Sequence, residues 1–80
     1  MTPREATLAL LAARAEGATV CPSEAARAVA GPGGDWREAM PQVHAAVDAM
    51  LADGLIRLSW KGRPLTARTG PYRIRRAGGG

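Results

Sequence analysis

Phenylalanine is missing from the 80 residues, and Trp36, Trp60 and Tyr72 are the sole aromatic side chains. Lysine, histidine and cysteine each occur once, at Lys61, His44 and Cys21. One cysteine excludes an internal disulfide, which fits a reducing compartment. One Cys and one His fall short of the three or four ligands of a zinc site. No Ser–His–acid or Cys–His spacing suggests nucleophilic catalysis, so the expectation is no enzyme, no catalytic residue, no metal and no cofactor. No apolar run reaches the ~18 residues of a membrane span. Thr2-Pro3-Arg4-Glu5 opens a helix rather than a secretory signal, so a cytoplasmic protein is expected. Many Ala, Arg and Gly beside a single lysine suggest a GC-rich, bacterial genome.

The absence with most consequence is that of acid after Asp53. Residues 1–54 hold four basic residues (Arg4, Arg14, Arg27, Arg37) against seven acidic ones, a balance of −3. Residues 55–80 hold seven basic residues and no acid, a balance of +7, and the two halves sum to the net +4. Such asymmetry points to a polyanionic partner at the C-terminal end. The length permits one domain, placed at 1–76, with 77–80 as a disordered tail.

Thr2-Pro3-Arg4-Glu5 combines a capping Thr, Pro at the first helical position and Glu to complete a capping box. Leu8, Leu11, Ala12 and Ala15 mark the expected buried face, and Gly17 the helix end. Ala18-Thr19-Val20 suits a short strand. Cys21-Pro22-Ser23-Glu24 restarts a helix to about Ala30, with Ala25, Ala26 and Val29 inward. Its Glu24 and Arg27 form an i,i+3 pair, worth a few tenths of a kcal/mol. Cys21 reads as a small buried residue at a helix start rather than a reactive thiol. Gly31-Pro32-Gly33-Gly34 is a turn.

The rest of the chain is organised by Asp35 to Arg76. Asp35-Trp36-Arg37-Glu38 has a capping-box arrangement, and Met40, Val43, Val47, Met50 and Leu51 form one apolar stripe at helical spacing. Pro41 either kinks this helix or begins it, with Trp36–Met40 as a separate short turn; the second reading is preferred. Gly54 stops the helix. Ile56, Leu58 and Trp60 then alternate with Arg57, Ser59 and Lys61, and Tyr72 and Ile74 with Arg73 and Arg75. This predicts a two-stranded hairpin with an apolar face, Trp60 included, and a basic face, joined by a long loop from Lys61 to Gly70. The expected fold is α+β: a winged helix-turn-helix with a three-helix core and a C-terminal β-hairpin wing.

Cys-Pro-Ser-Glu-Ala-Ala-Arg-Ala-Val at 21–29, Asp-Trp-Arg-Glu-Ala-Met-Pro at 35–41, Lys-Gly-Arg-Pro at 61–64 and Gly-Pro-Tyr-Arg-Ile-Arg at 70–75 occur in that order. Together they resemble a family of short bacterial proteins known as a domain of unknown function. The resemblance covers about residues 4–76 and implies a winged-helix-like fold and no particular activity. Family members often carry an Asp after the Lys-Gly-Arg-Pro block, where this chain has Leu65-Thr66.

Candidate nucleic-acid contacts are Arg57, Lys61, Arg63, Arg68, Arg73 and Arg75 on the hairpin, which suit phosphates, with Gly62 and Gly70 permitting close approach. On the third helix, Arg37 can pair with guanine and Gln42 with adenine. Asp35, Glu38, Asp48 and Asp53 outnumber Arg37 there, so the expectation is phosphate contact by the wing with slight sequence preference, to DNA more than RNA. The rival expectation is a protein–protein interaction module without nucleic acid. A monomer or weak dimer is expected, with no membrane partner.

Overall fold

The computed structural model describes residues 1–77, so all but the first residue of the tail expected at 77–80 lies outside the described residues. The Ala77 amide donates to the Leu55 carbonyl at 3.1 Å. The chain is α+β, with helices α1 (Pro3–Ala12), α2 (Pro22–Ala30) and α3 (Trp36–Ala52) before strands β1 (Ile56–Trp60), β2 (Arg63–Leu65) and β3 (Arg73–Arg76). The strands form an antiparallel sheet in the order β2-β1-β3. Val20 adds an isolated antiparallel bridge to Ile74, exchanging both backbone hydrogen bonds at 2.7 and 2.8 Å.

Each helix starts where its sequence offers a cap. Thr2 accepts from the Glu5 amide and Glu5 reaches back to the Thr2 amide, satisfying both donors reciprocally. At α2 the reciprocal half is clear, with Glu24 accepting from the Cys21 amide at 2.8 Å. At α3 Asp35 accepts from the Arg37 amide at 3.0 Å, and Glu38 makes no return bond. After α3 the Gly54 and Leu55 amides bond to the Leu51 and Met50 carbonyls at 3.1 and 3.0 Å, the paired bonds of a Schellman end.

Five expectations about the elements are corrected. The helix α1 ends at Ala12 rather than near Gly17, and its buried side is Ala6, Thr7 and Leu11. Leu8, Ala12 and Ala15 are exposed. Thr7 tolerates full burial because its hydroxyl donates to the Pro3 carbonyl within its own helix, at 2.8 Å. The helix α3 is continuous from Trp36 to Ala52 with Pro41 inside it. Pro41 is exposed, so the carbonyl it leaves without an intrahelical donor, that of Arg37, sits on the watery side.

The long loop contains the third strand. Lys61 and Gly62, at φ 51 and 80°, turn β1 tightly into β2, with both central residues left-handed as a type I′ turn needs. Glycine takes that conformation freely, whereas lysine pays ~1–2 kcal/mol in steric strain. Pro64 is tolerated because β2 is an edge strand. Trp60, expected in the core, is 38% exposed. The packed face ends at the Leu58–Leu65 pair, and Trp60 lies beyond it toward the turn, opposite Arg63.

The core lies between the helices and one sheet face: Leu11, Val20, Ala25, Ala26, Val43, Val47, Met50, Ile56, Leu58, Tyr72 and Ile74 form one buried cluster. Small alanines on α2 let the helices approach, and the bulk comes from Met50, Ile56, Leu58 and Ile74. The opposite sheet face is left to the alternate residues, among them Arg57, Arg73 and Arg75.

Candidate nucleic-acid interface

The register decides which cations meet. Arg57 on β1 lies directly opposite Arg75 on β3, and Ser59 lies opposite Arg73, all on the face turned away from the core pair Leu58–Ile74. Like charges opposed across a sheet repel. Arg57 and Arg75 are exposed, and no ion pair involves them among the described residues. Arg73 is half-buried, its Nε donating to the Thr19 hydroxyl at 2.7 Å and Nη2 to the Thr19 carbonyl at 3.4 Å. Neutral oxygens hold that guanidinium, and its charge is also felt by the Glu24 carboxylate, whose pKa it helps to lower. Arg57, Lys61, Arg73 and Arg75 line one open groove of about 740 Å³, with Thr19 and Thr66 at its sides.

The remaining candidates go elsewhere. Arg63 shares the Trp60 side of the ribbon, opposite to that of Arg57. Arg68 forms a two-pronged pair with Asp48, Nε to Oδ1 at 3.0 Å and Nη2 to Oδ2 at 2.9 Å. Arg37 lies over the Trp36 ring at 4.5 Å from its centroid. Gln42 is exposed on α3 five residues on from Arg37, roughly 140° around the helix, so the two do not share a face. Arg76, whose Nη2 donates to the Leu11 carbonyl at 3.1 Å, ties β3 to the end of α1.

The acids account for the charge left over. Asp48 is held by Arg68, and its pKa is lowered chiefly by that hydrogen bond. Glu24 pairs with Arg14, Oε1 to Nη2 at 2.6 Å, rather than with Arg27 as the i,i+3 spacing suggested. Arg27 instead lies 4.8 Å from the Trp36 centroid, where stacking on indole replaces a surface ion pair. The pKa of Glu24 is lowered first by the Cys21 amide and then by Arg14. Arg4 approaches Asp53 at 3.6 Å. Of the seven cations after residue 54, Arg68 alone forms a salt bridge with a carboxylate among the described residues.

His44 is half-buried, with Nδ1 2.7 Å from the Tyr72 hydroxyl. One helical turn on, Asp48 takes Arg68, so α3 latches the loop between β2 and β3 at two successive turns. Burial raises the Tyr72 pKa to about 12, and burial together with the Arg68 charge lowers that of His44 below 6.5. Folding thus favours neutral His44, a contribution complete above pH 6.5 and lost as pH falls through the depressed folded value. The urea midpoint is expected to be level above neutral pH and to start falling below pH 6.5. It should fall again once Glu24 and Asp48 protonate below their ordinary values of 4.5 and 3.8. In His44→Asn the upper step should vanish and the acid step remain.

Cys21 is half-buried at the α2 start, with Sγ 3.1 Å from the Ser23 hydroxyl. Among the described residues no group of three or more His, Cys, Asp or Glu side chains is placed to hold a metal ion. No described helix is long and apolar enough to cross a membrane. A family model described as "Protein of unknown function (DUF3253)" matches residues 2–77. No curated protein matches the chain.

Proposed function

We propose that this chain, which belongs to the DUF3253 family of proteins of unknown function, binds nucleic acid through phosphate contacts of its basic sheet face. The observation that supports this reading is the opposed pair Arg57 and Arg75, flanked by Arg73 and Lys61 with no carboxylate among them. An unrelieved cluster of that kind is repulsive by itself and is relieved by a polyanion. The order of α1, the Val20 bridge, α2, α3 and the sheet is read as a winged helix whose wing is the β1–β2–β3 ribbon. The wing leads, because α3 offers Glu38 beside Arg37 and keeps Gln42 on another flank. The protein acts in the cytoplasm of a bacterium, without a cofactor and without catalysis.

Fluorescence anisotropy of a labelled DNA duplex at several salt concentrations tests this. Binding that weakens steeply with salt supports it, and no binding at low salt rejects it. The rival reading, docking on a basic protein, is favoured by Glu38, exposed on α3 and unpaired among the described residues. One stable protein partner recovered equally before and after nuclease treatment would favour that rival.

A further inference from the structure

Trp60 is the residue whose place the core does not explain. The chain has three aromatic side chains, and this one stands 38% exposed at the end of β1, past the last packed pair. Its surroundings are cationic. Arg63 lies directly opposite it across the ribbon, and Lys61 occupies the turn at φ 51°. Type I′ turns favour Asn, Asp or Gly at that left-handed position. The strained lysine keeps a charge at the tip at the expense of an easier backbone. From Leu55 to Ala77 there is no carboxylate to oppose it.

The tip also joins two charged surfaces. Arg57 and Arg75 stand on one side of the ribbon, and Arg63 and Trp60 on the other. A stiff duplex lies along one side and hides its base faces in the stack. A single strand bends around a narrow tip and offers base faces to an aromatic ring, while its phosphates meet cations on either side.

We propose that the β1–β2 tip binds single-stranded nucleic acid, with an unpaired base stacked on Trp60 and its flanking phosphates on Lys61 and Arg63. The strand then continues toward Arg57 and Arg75. This rests on the nucleic-acid reading above and names the form of nucleic acid that the site prefers.

The test compares labelled oligothymidylate with a duplex of equal length at one salt concentration, in the wild type, Trp60→Ala and Lys61→Asn. The wild type should bind the single strand more tightly than the duplex. Trp60→Ala should weaken single-strand binding about 5- to 140-fold, the range for losing one stacked base, and leave duplex binding unchanged. Lys61→Asn, which supplies an Asn-Gly turn, should melt at a higher temperature than the wild type yet bind the single strand more weakly. In a Trp36→Phe background, oligothymidylate should quench the remaining indole, and inorganic polyphosphate should bind without quenching it. Equal loss for both nucleic acids in Trp60→Ala, or saturation by oligothymidylate without quenching, would overturn the stacking proposal and leave phosphate binding standing. No binding of any of the polyanions would remove both readings.

Discussion

Replacing Arg57 and Arg75 together by glutamine is expected to weaken duplex-DNA binding while making the protein more stable. The two side chains face each other across β1 and β3 with no acid between them. Removing like charges from directly opposed positions relieves ~0.2–1 kcal/mol of repulsion. Each phosphate contact releases ~0.9 counterion on duplex DNA, so losing two should flatten the salt slope by about 1.8. Near 0.1 M salt that corresponds to roughly 60-fold in affinity. Opposite signs in the two measurements distinguish a binding role from a structural one. If the arginines served the fold, thermal stability and affinity would fall together. Thermal melts with salt-dependent anisotropy on the one variant give both numbers.

The second large effect is expected in the core. Met50→Ala should remove about 2–5 kcal/mol, the cost of emptying a fully buried long side chain. Met50 is 0% exposed and among the largest of the fully buried residues. With no phenylalanine in the chain, and with Trp60 spent on the surface, few large side chains remain to close over the gap. A domain of this length holds ~4–12 kcal/mol in total, so roughly a sixth or more of the stability is at stake. At ~4–8 °C per kcal/mol, the melting temperature should drop by at least about 8 °C. A fall of only a few degrees would mean that α3 and the sheet do not share the packed interior described here.

The elements that announce themselves locally were legible in the sequence. Thr2 with Glu5, Cys21-Pro22 with Glu24, and Asp35 each mark a helix start within a few residues. The stripe Val43, Val47, Met50 needs only the helical period. What was not legible depends on partners distant in sequence. The strand β2 is three residues with a proline in the middle, introduced by Lys-Gly rather than Asn-Gly, so neither its composition nor its turn signals a strand. Trp60 fits the alternation of a buried strand, and it is the tertiary packing, which ends at the Leu58–Leu65 pair, that leaves it outside the core.

The charged side chains show the same limit. Spacing offered Glu24 to Arg27, whereas folding gave Glu24 to Arg14 and set Arg27 against Trp36. The sequence places Arg68 with the wing cations, but the loop between β2 and β3 brings it to Asp48. That one pairing removes a cation from the candidate interface and an acid from α3. The opposed Arg57 and Arg75 follow from the period of two once the β1–β3 register is known, and the register is a tertiary fact.

The central claim, that the uncancelled cations of the sheet face meet phosphates, is tested most directly by the affinity of the wild-type protein for a DNA duplex across a range of salt. Three or four phosphate contacts predict a loss of roughly 40- to 150-fold between about 50 and about 200 mM salt. A complex whose affinity is level over that range, or no complex at the lowest salt, would contradict it.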